Sequence, residues 1–211
     1  MQHEDGPVFR DATDDDLVGL RDLEREANQA ALEHVFPPEL YPFPDDAVLA
    51  RWRLVLDDPE VAVLVHDDPL RHGLDAYAAY DDATLRHLAV HPGRWGEGLA
   101  TAAIDIALHG MDRRGSTEAS LWCLQDNHRA RRLYEYLGWK PTDEVREAPW
   151  APHPLETKYM RLIVQSEQWL LRSEASAAGG PAVLRIGKGN EDDEHRGRPQ
   201  QCVDLRVLEG P

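Results

Sequence analysis

The stretch His91-Pro92-Gly93-Arg94-Trp95-Gly96-Glu97-Gly98-Leu99-Ala100 constrains the fold more than any other part of the chain. It separates an alternating apolar run, Ala83 to Val90, from an amphipathic run reaching about Arg113. In order, these spell a strand, a glycine-spaced turn and the start of a helix. The first N–H groups of a helix lack intrahelical acceptors, and the macrodipole adds partial positive charge there. Glycines at 96 and 98 carry no side chain to hold an anion away from the backbone. The segment is built to hold a phosphate-bearing ligand. It is neither a dinucleotide fingerprint, whose third glycine would fall at Thr101, nor a P-loop, whose Gly-Lys-Ser/Thr is missing.

The flanking sequence supplies the other elements. A strand is expected at Pro7 to Ala12, closed by the helix-capping run Thr13-Asp14-Asp15-Asp16. A helix to about Ala30 carries Leu17, Leu20, Leu23, Ala27 and Ala30 on one face, and another, Asp45 to Asp57, carries Val48, Trp52 and Val55. Strands follow at Val61 to His66, Leu74 to Tyr80 and Thr84 to Val90. After the glycine turn, Thr101, Asp105, His109 and Asp112 make one polar stripe on a helix otherwise fit for burial. Glu118 to Leu124 is a strand, and Asn127 to Leu137 a helix with Ala130, Leu133, Tyr134 and Leu137 on one face and Gly138 to stop it. Strands near Lys140 to Arg146 and Leu155 to Val164 flank Pro149-Trp150-Ala151-Pro152-His153-Pro154.

The 211 residues suit one medium domain with an appendage, and their 42% hydrophobic content is enough for a core. From about residue 165 the chain turns small and polar, reading as a tail (165–211) that is either disordered or a weak hairpin, with 182–186 and 203–207 as its strands. There is no apolar run of membrane-spanning length and no signal-peptide pattern at Met1-Gln2-His3-Glu4-Asp5. Cys123 and Cys202 make neither a disulfide framework nor a metal cluster, so a soluble cytoplasmic protein without metal or membrane partner is expected. The net charge of −16 argues against duplex nucleic acid as a partner. It leaves room for a polyanionic small molecule, because Arg94, Arg129, Arg131 and Arg132 gather near the glycine turn and the Asn-led helix. The tail holds 8 acids and 6 bases, so the acidity belongs to the body.

Two motifs carry a family likeness. The first is Leu88-Ala89-Val90-His91-Pro92 followed by Trp95-Gly96-Glu97-Gly98-Leu99-Ala100. The second is Asn127-His128-Arg129-Ala130-Arg131-Arg132-Leu133-Tyr134-Glu135-Tyr136-Leu137-Gly138-Trp139. With both in this order of elements, the chain resembles the GNAT superfamily of acetyl-CoA-dependent N-acetyltransferases over roughly residues 7 to 164. The resemblance implies an α/β domain over 1–164, with a central, mostly antiparallel mixed sheet flanked by helices. It also implies transfer of an acetyl group from acetyl-CoA to a primary amine of a small molecule or peptide, by a monomer or homodimer.

By the same resemblance, acetyl-CoA lies where the strand ending at Val90 splays from Glu118 to Leu124. Leu88, Ala89 and Val90 would run along the pantetheine, pairing with its amides as a peptide adds to a sheet edge. Trp95, Gly96, Glu97, Gly98, Leu99, Ala100 and Thr101 would hold the pyrophosphate, with Arg94 able to add charge; Trp95 stands where the family turn opens with Gln or Arg. Asn127 would anchor the cofactor near its thioester. Tyr134 would be the acid that protonates the leaving thiolate, since a thiol and a phenol have pKa values of about 8.5 and 10; Tyr136 points off the apolar stripe. Many relatives place a glutamate base on the strand before the Asn-led helix, where this chain has Trp122, so the base does not carry over. His87 and Glu33 are candidates for it, and a metal held by His87 and His91 is excluded by a separation of about 13 Å along a strand. Acceptor specificity is expected from Phe36, Tyr41, Phe43, Trp150 and His153, with Glu33, Glu39, Asp45 and Asp46 to attract a cationic amine. Two alternatives stay open: a non-catalytic acyl-CoA-binding module, and a transferase of another acyl group.

Overall fold

The computed structural model describes residues 6–68, 70 and 73–163. The elements follow in chain order: β1 (Arg10–Asp11), α1 (Leu17–Leu32), α2 (Asp45–Asp57), β2 (Ala62–Asp68), β3 (Gly73–Tyr80) and β4 (Leu85–Val90). Then come α3 (Leu99–Arg113), β5 (Glu118–Leu124), α4 (His128–Tyr136), β6 (Lys140–Glu147) and β7 (Leu155–Leu162). The 165–211 tail and the end of the last expected strand at Val164 lie outside the described residues.

The expected α/β architecture, antiparallel strands flanked by helices, is what the structure has, and its strands pair as two sheets. One has the order β1-β2-β3-β4 and the other β5-β7-β6, with every strand pair inside them antiparallel. They meet where Thr84, just before β4, bridges Ser120 of β5 in parallel, with Ser120 N–H donating to Ala83 O at 2.7 Å. Beyond that bridge β4 and β5 belong to different sheets, so the strands part into two arms. β1 is shorter than Pro7 to Ala12, because only Arg10 and Asp11 pair with β2. Arg10 instead spends its guanidinium on Asp16 and Asp67, at 2.8 and 2.6 Å, and fastens the start of α1 to β2.

Each face of the first arm is closed by different helices. Leu20 and Leu23 of α1 and Val48, Trp52 and Val55 of α2 pack on Val63, Val65, Tyr77 and Ala79. Ala103, Ile104, Ala107, Leu108 and Met111 of α3 pack on Ala78, Tyr80 and Leu85, and this core runs on to Leu121, Cys123, Tyr134, Trp139 and Tyr159 of the second arm. The polar stripe of α3 stays outside, with Asp105 and His109 exposed. Beneath α1, the buried Glu24 carboxylate accepts hydrogen bonds from Arg51, from Trp52 Nε1 (2.8 Å) and from Tyr77 OH (3.3 Å). A carboxylate taken out of water needs such partners to stay charged.

Candidate active site

The glycine turn has the backbone conformation that its sequence requires. β4 ends at Val90, and His91 leads into a 3-10 turn, Pro92–Arg94. The imidazole accepts from Gly93 N–H through Nδ1 at 3.0 Å, while Nε2 lies 2.9 Å from Glu26 of α1. Gly96 and Gly98 adopt φ of +90° and +85°, and nothing lies within 4 Å of where a Cβ would stand on either. A side chain there would be strained by the backbone and would fill an open cradle. The first helical hydrogen bond of α3 runs from Ala102 N–H to Gly98 O at 3.0 Å. Among the described residues, the N–H groups of Gly96, Gly98, Leu99, Ala100 and Thr101 therefore find no backbone acceptor. Successive bare donors at the positive end of a helix dipole suit a diphosphate.

The charged residues of the turn behave differently from expectation. Arg94 does not offer its charge to the cradle, because it lies 3.4 Å from the buried Asp75 of β3 and 3.1 Å from Glu97. Glu97 is spent on that pair. Leu99 is buried and pins the turn to Ala76 and Val90. Arg129 of α4 is exposed, and its guanidinium lies 4.0 Å from the centre of the Trp95 ring. Sequence reasoning grouped Arg129 with the other arginines but had no signal for this contact, which joins segments more than thirty positions apart.

The direction of the β4 backbone follows from one bond. His91 N–H donates to Asp75 O at 2.8 Å, and the register pairs Ala89 with Tyr77 and His87 with Ala79. In an antiparallel ladder alternate residues turn their N–H and C=O to the partner strand. His87, Ala89 and His91 thus face β3, while Leu88 and Val90 present theirs to the gap between the arms. One of these groups has a partner: Val90 O accepts from Trp95 Nε1 at 2.8 Å.

On the second arm, Asn127 opens α4 and Tyr134 lies within it. Asn127 Oδ1 caps α4 by accepting from Ala130 N–H at 3.1 Å. Tyr134 is 8% exposed, its ring packed on Trp139 and Tyr159 at 6.1 and 6.2 Å between centroids, whereas Tyr136 is 85% exposed. Among the described residues no group hydrogen-bonds the Tyr134 hydroxyl. Burial, and then the neighbouring Cys123 thiol, push its pKa above the ordinary tyrosine value. Burial likewise pushes the Cys123 thiol up to about 12, so it stays protonated and inert at neutral pH. Arg131 does not reach the gap: it donates to Tyr159 OH at 3.0 Å and to Gln125 O at 2.9 Å.

The acceptor candidates are partly gathered. Leu32, Leu124 and Ala148 form a small core with Phe36, so the 33–44 segment, the end of β5 and the loop after β6 meet at the open end of the arms. Tyr41 packs edge-on against Phe36 at 6.5 Å, and His34 Nε2 lies 3.0 Å from Asp126 O. Phe43 belongs to the α1–α2 core, Trp150 is 42% exposed, and His153 Nδ1 lies 3.0 Å from Ala148 O. Asp45 is taken by Arg25 at 2.5 Å, while Glu33 and Glu39 are exposed. His87 sits on the α1–α2 face, 5.1 Å from Trp52. Burial, with help from Arg51 and Arg86, pushes its pKa well below the ordinary histidine value. Trp122 lies 4.1 Å beneath the Arg146 guanidinium, which also pairs with the buried Glu156 at 2.7 Å.

Comparison with known proteins gives the same architecture. The family model described as the acetyltransferase (GNAT) family matches residues 17–139, more than half of the chain. The mycothiol acetyltransferase of Beutenbergia cavernae is 39% identical over 92 residues, which are 40% of this chain and 30% of that protein. The chain thus spans less than a third of that relative's length. A GCN5-related N-acetyltransferase from Rhodopseudomonas palustris superposes with a TM-score of 0.61 at 14% identity, covering 77% of this chain and 99% of the other. The PaiA N-acetyltransferase of Thermoplasma acidophilum, solved with coenzyme A, gives 0.55 at 14% identity, covering 72% and 96%. At such identities these two likenesses show the fold.

Proposed function

This chain belongs to the acetyltransferase (GNAT) family, and on that premise we propose that it transfers an acetyl group from acetyl-CoA to a primary amine. The observation that carries the reading is the run of bare N–H groups at Gly96 and Gly98–Thr101, set beside a strand whose Leu88 and Val90 backbones face a gap. The cradle fits the diphosphate of coenzyme A, and a strand edge fits the two amides of its pantetheine arm. That placement directs the thioester toward Tyr134 and the 33–44 and 148–154 segments. Asn127, committed to α4 through Oδ1, keeps its amide nitrogen for the ligand.

The chemistry asks little more of the protein. An amine that has lost its proton attacks the thioester carbonyl, and the C–S bond of the resulting tetrahedral species breaks. Tyr134 holds its proton at neutral pH, so it starts as the donor to the sulfur as negative charge grows there, not as the base that frees the amine. The proton that the nitrogen sheds on becoming an amide restores the phenol, so amide, free thiol and unchanged tyrosine are the balanced outcome. His87 is neutral at pH 7 but turned to the α1–α2 face, and no base role is assigned to it.

Isothermal titration with coenzyme A tests the cofactor site: binding is expected for the native chain and lost in Gly98→Trp, whose side chain would strain the turn and fill the cradle. An absence of binding by the native chain sinks the reading. A screen for thiol release from acetyl-CoA across polyamines, aminoglycosides, amino acids and peptides then finds the acceptor. Trp122, in place of a carboxylate, favours the alternative of a binding module. Tight cofactor binding with silence toward every amine would establish that alternative.

A further inference from the structure

The Val90 carbonyl faces the gap between the arms and already has a donor, the indole N–H of Trp95 at 2.8 Å. That ring is not free. It packs beside Ala76, Val90 and Leu99 on its own arm and lies under the Arg129 guanidinium of α4, 4.0 Å away. Two independent contacts therefore hold one side chain across the open end of the arms, and one of them uses the strand-edge acceptor nearest the glycine turn. A strand edge gains from such a cap, because a carbonyl kept from water without a donor is costly. The inference rests on the reading above, in which pantetheine lies along this edge.

We propose that the Trp95 indole stands in for a pantetheine amide on the Val90 carbonyl, clamped there by Arg129, and that coenzyme A binds by displacing it. The ligand then exchanges one N–H···O bond for another rather than gaining a new one, and the ring and its arginine swing out toward the phosphates. The residue that departs from the usual opening of this turn thereby tunes cofactor affinity.

Trp95→Phe tests this, because phenylalanine keeps a ring for the apolar contacts and for Arg129 but removes the N–H. Coenzyme A should bind the variant about threefold to tenfold more tightly by titration calorimetry, the span expected when one internal hydrogen bond no longer has to be broken. Indole N–H resonances of the 15N-labelled chain, which has six tryptophans, give a second readout that a merely structural role would not move. The signal missing from Trp95→Phe should shift when coenzyme A is added to the native chain. The proposal is overturned if the native chain binds coenzyme A with that signal unmoved, or if Trp95→Phe binds no more tightly. Failure of the native chain to bind at all defeats the cofactor reading itself, and is distinguished by the titration.

Discussion

Tyr134 combines two properties that seldom coexist in a core tyrosine: a ring enclosed by Trp139 and Tyr159, and a hydroxyl with no hydrogen-bond partner among the described residues. The hydroxyl is not among the buried unpartnered polar atoms, so the phenol reaches open space from an otherwise buried ring, which is what the proposed proton donor needs. Tyr134→Phe should lower kcat for acetyl transfer by roughly 10²- to 10⁴-fold, the range for a lost acid–base group. Coenzyme A affinity should stay within about threefold, and an unaltered kcat would remove the role. Burial raises this pKa, so Tyr134 stays protonated up to and beyond the ordinary tyrosine value of about 10. A rate profile to pH 9.5 should therefore show no alkaline decline that Tyr134→Phe abolishes. The choice of Tyr134 over Tyr136 was legible because helical periodicity is local. The fates of Arg94 and Asp45 were not, since each is captured by a partner that only the fold brings near: Asp75 on β3 and Arg25 on α1.

At the scale of elements, α3 ties the turn to the core, and Gly110 sets how closely it lies. A Cβ at Gly110 would fall 2.2 Å from Tyr80 Oη and 2.6 Å from the ring carbons of that residue. Tyr80 is 4% exposed and its ring lies 5.7 Å from the Arg114 guanidinium, so it has little freedom to withdraw. Gly110→Ala should cost about 1–3 kcal/mol in urea denaturation, the range for overpacking a core, despite the better helix propensity of alanine. A neutral or stabilising result would mean that helix and strand can separate freely. The helices, the strands and their order could be read from the sequence because 3.6- and 2-residue periods are written along each element. The parting of β4 from β5 is not written in those periods, because it depends on where strands stop pairing; it is expected only from the family resemblance, which has the strand ending at Val90 splay from Glu118 to Leu124. Thr84 and Ser120 join the arms, and nothing in either residue announces that β4 and β5 part just beyond them.

At the scale of the whole molecule, His87 couples the fold to mild acid. His87 is held neutral by burial, Arg51 and Arg86, so its pKa in the native state lies well below the 6.5 of an unconstrained imidazole. Unfolding releases it to take up a proton at pH values where the native state refuses one. The stability it contributes is therefore complete above pH 6.5 and is lost as pH falls toward the native pKa. Going from pH 7.5 to about 5.5 crosses the ordinary histidine value, so the native chain loses stability over that interval. A second effect opposes it, because protonation trims a net charge of −16 and relieves self-repulsion in the folded state. Asp16, whose pKa Arg10 lowers, contributes only near and below pH 4. His87→Phe separates the two effects, since it removes the titrating ring beside Trp52 while leaving the charge of the rest unchanged. Urea denaturation at the two pH values should show the native chain losing more stability than His87→Phe, any packing change in the variant cancelling between pH values. Equal losses in both proteins would mean that His87 takes up its proton without unfolding, and that the α1–α2 face is open enough to hydrate it.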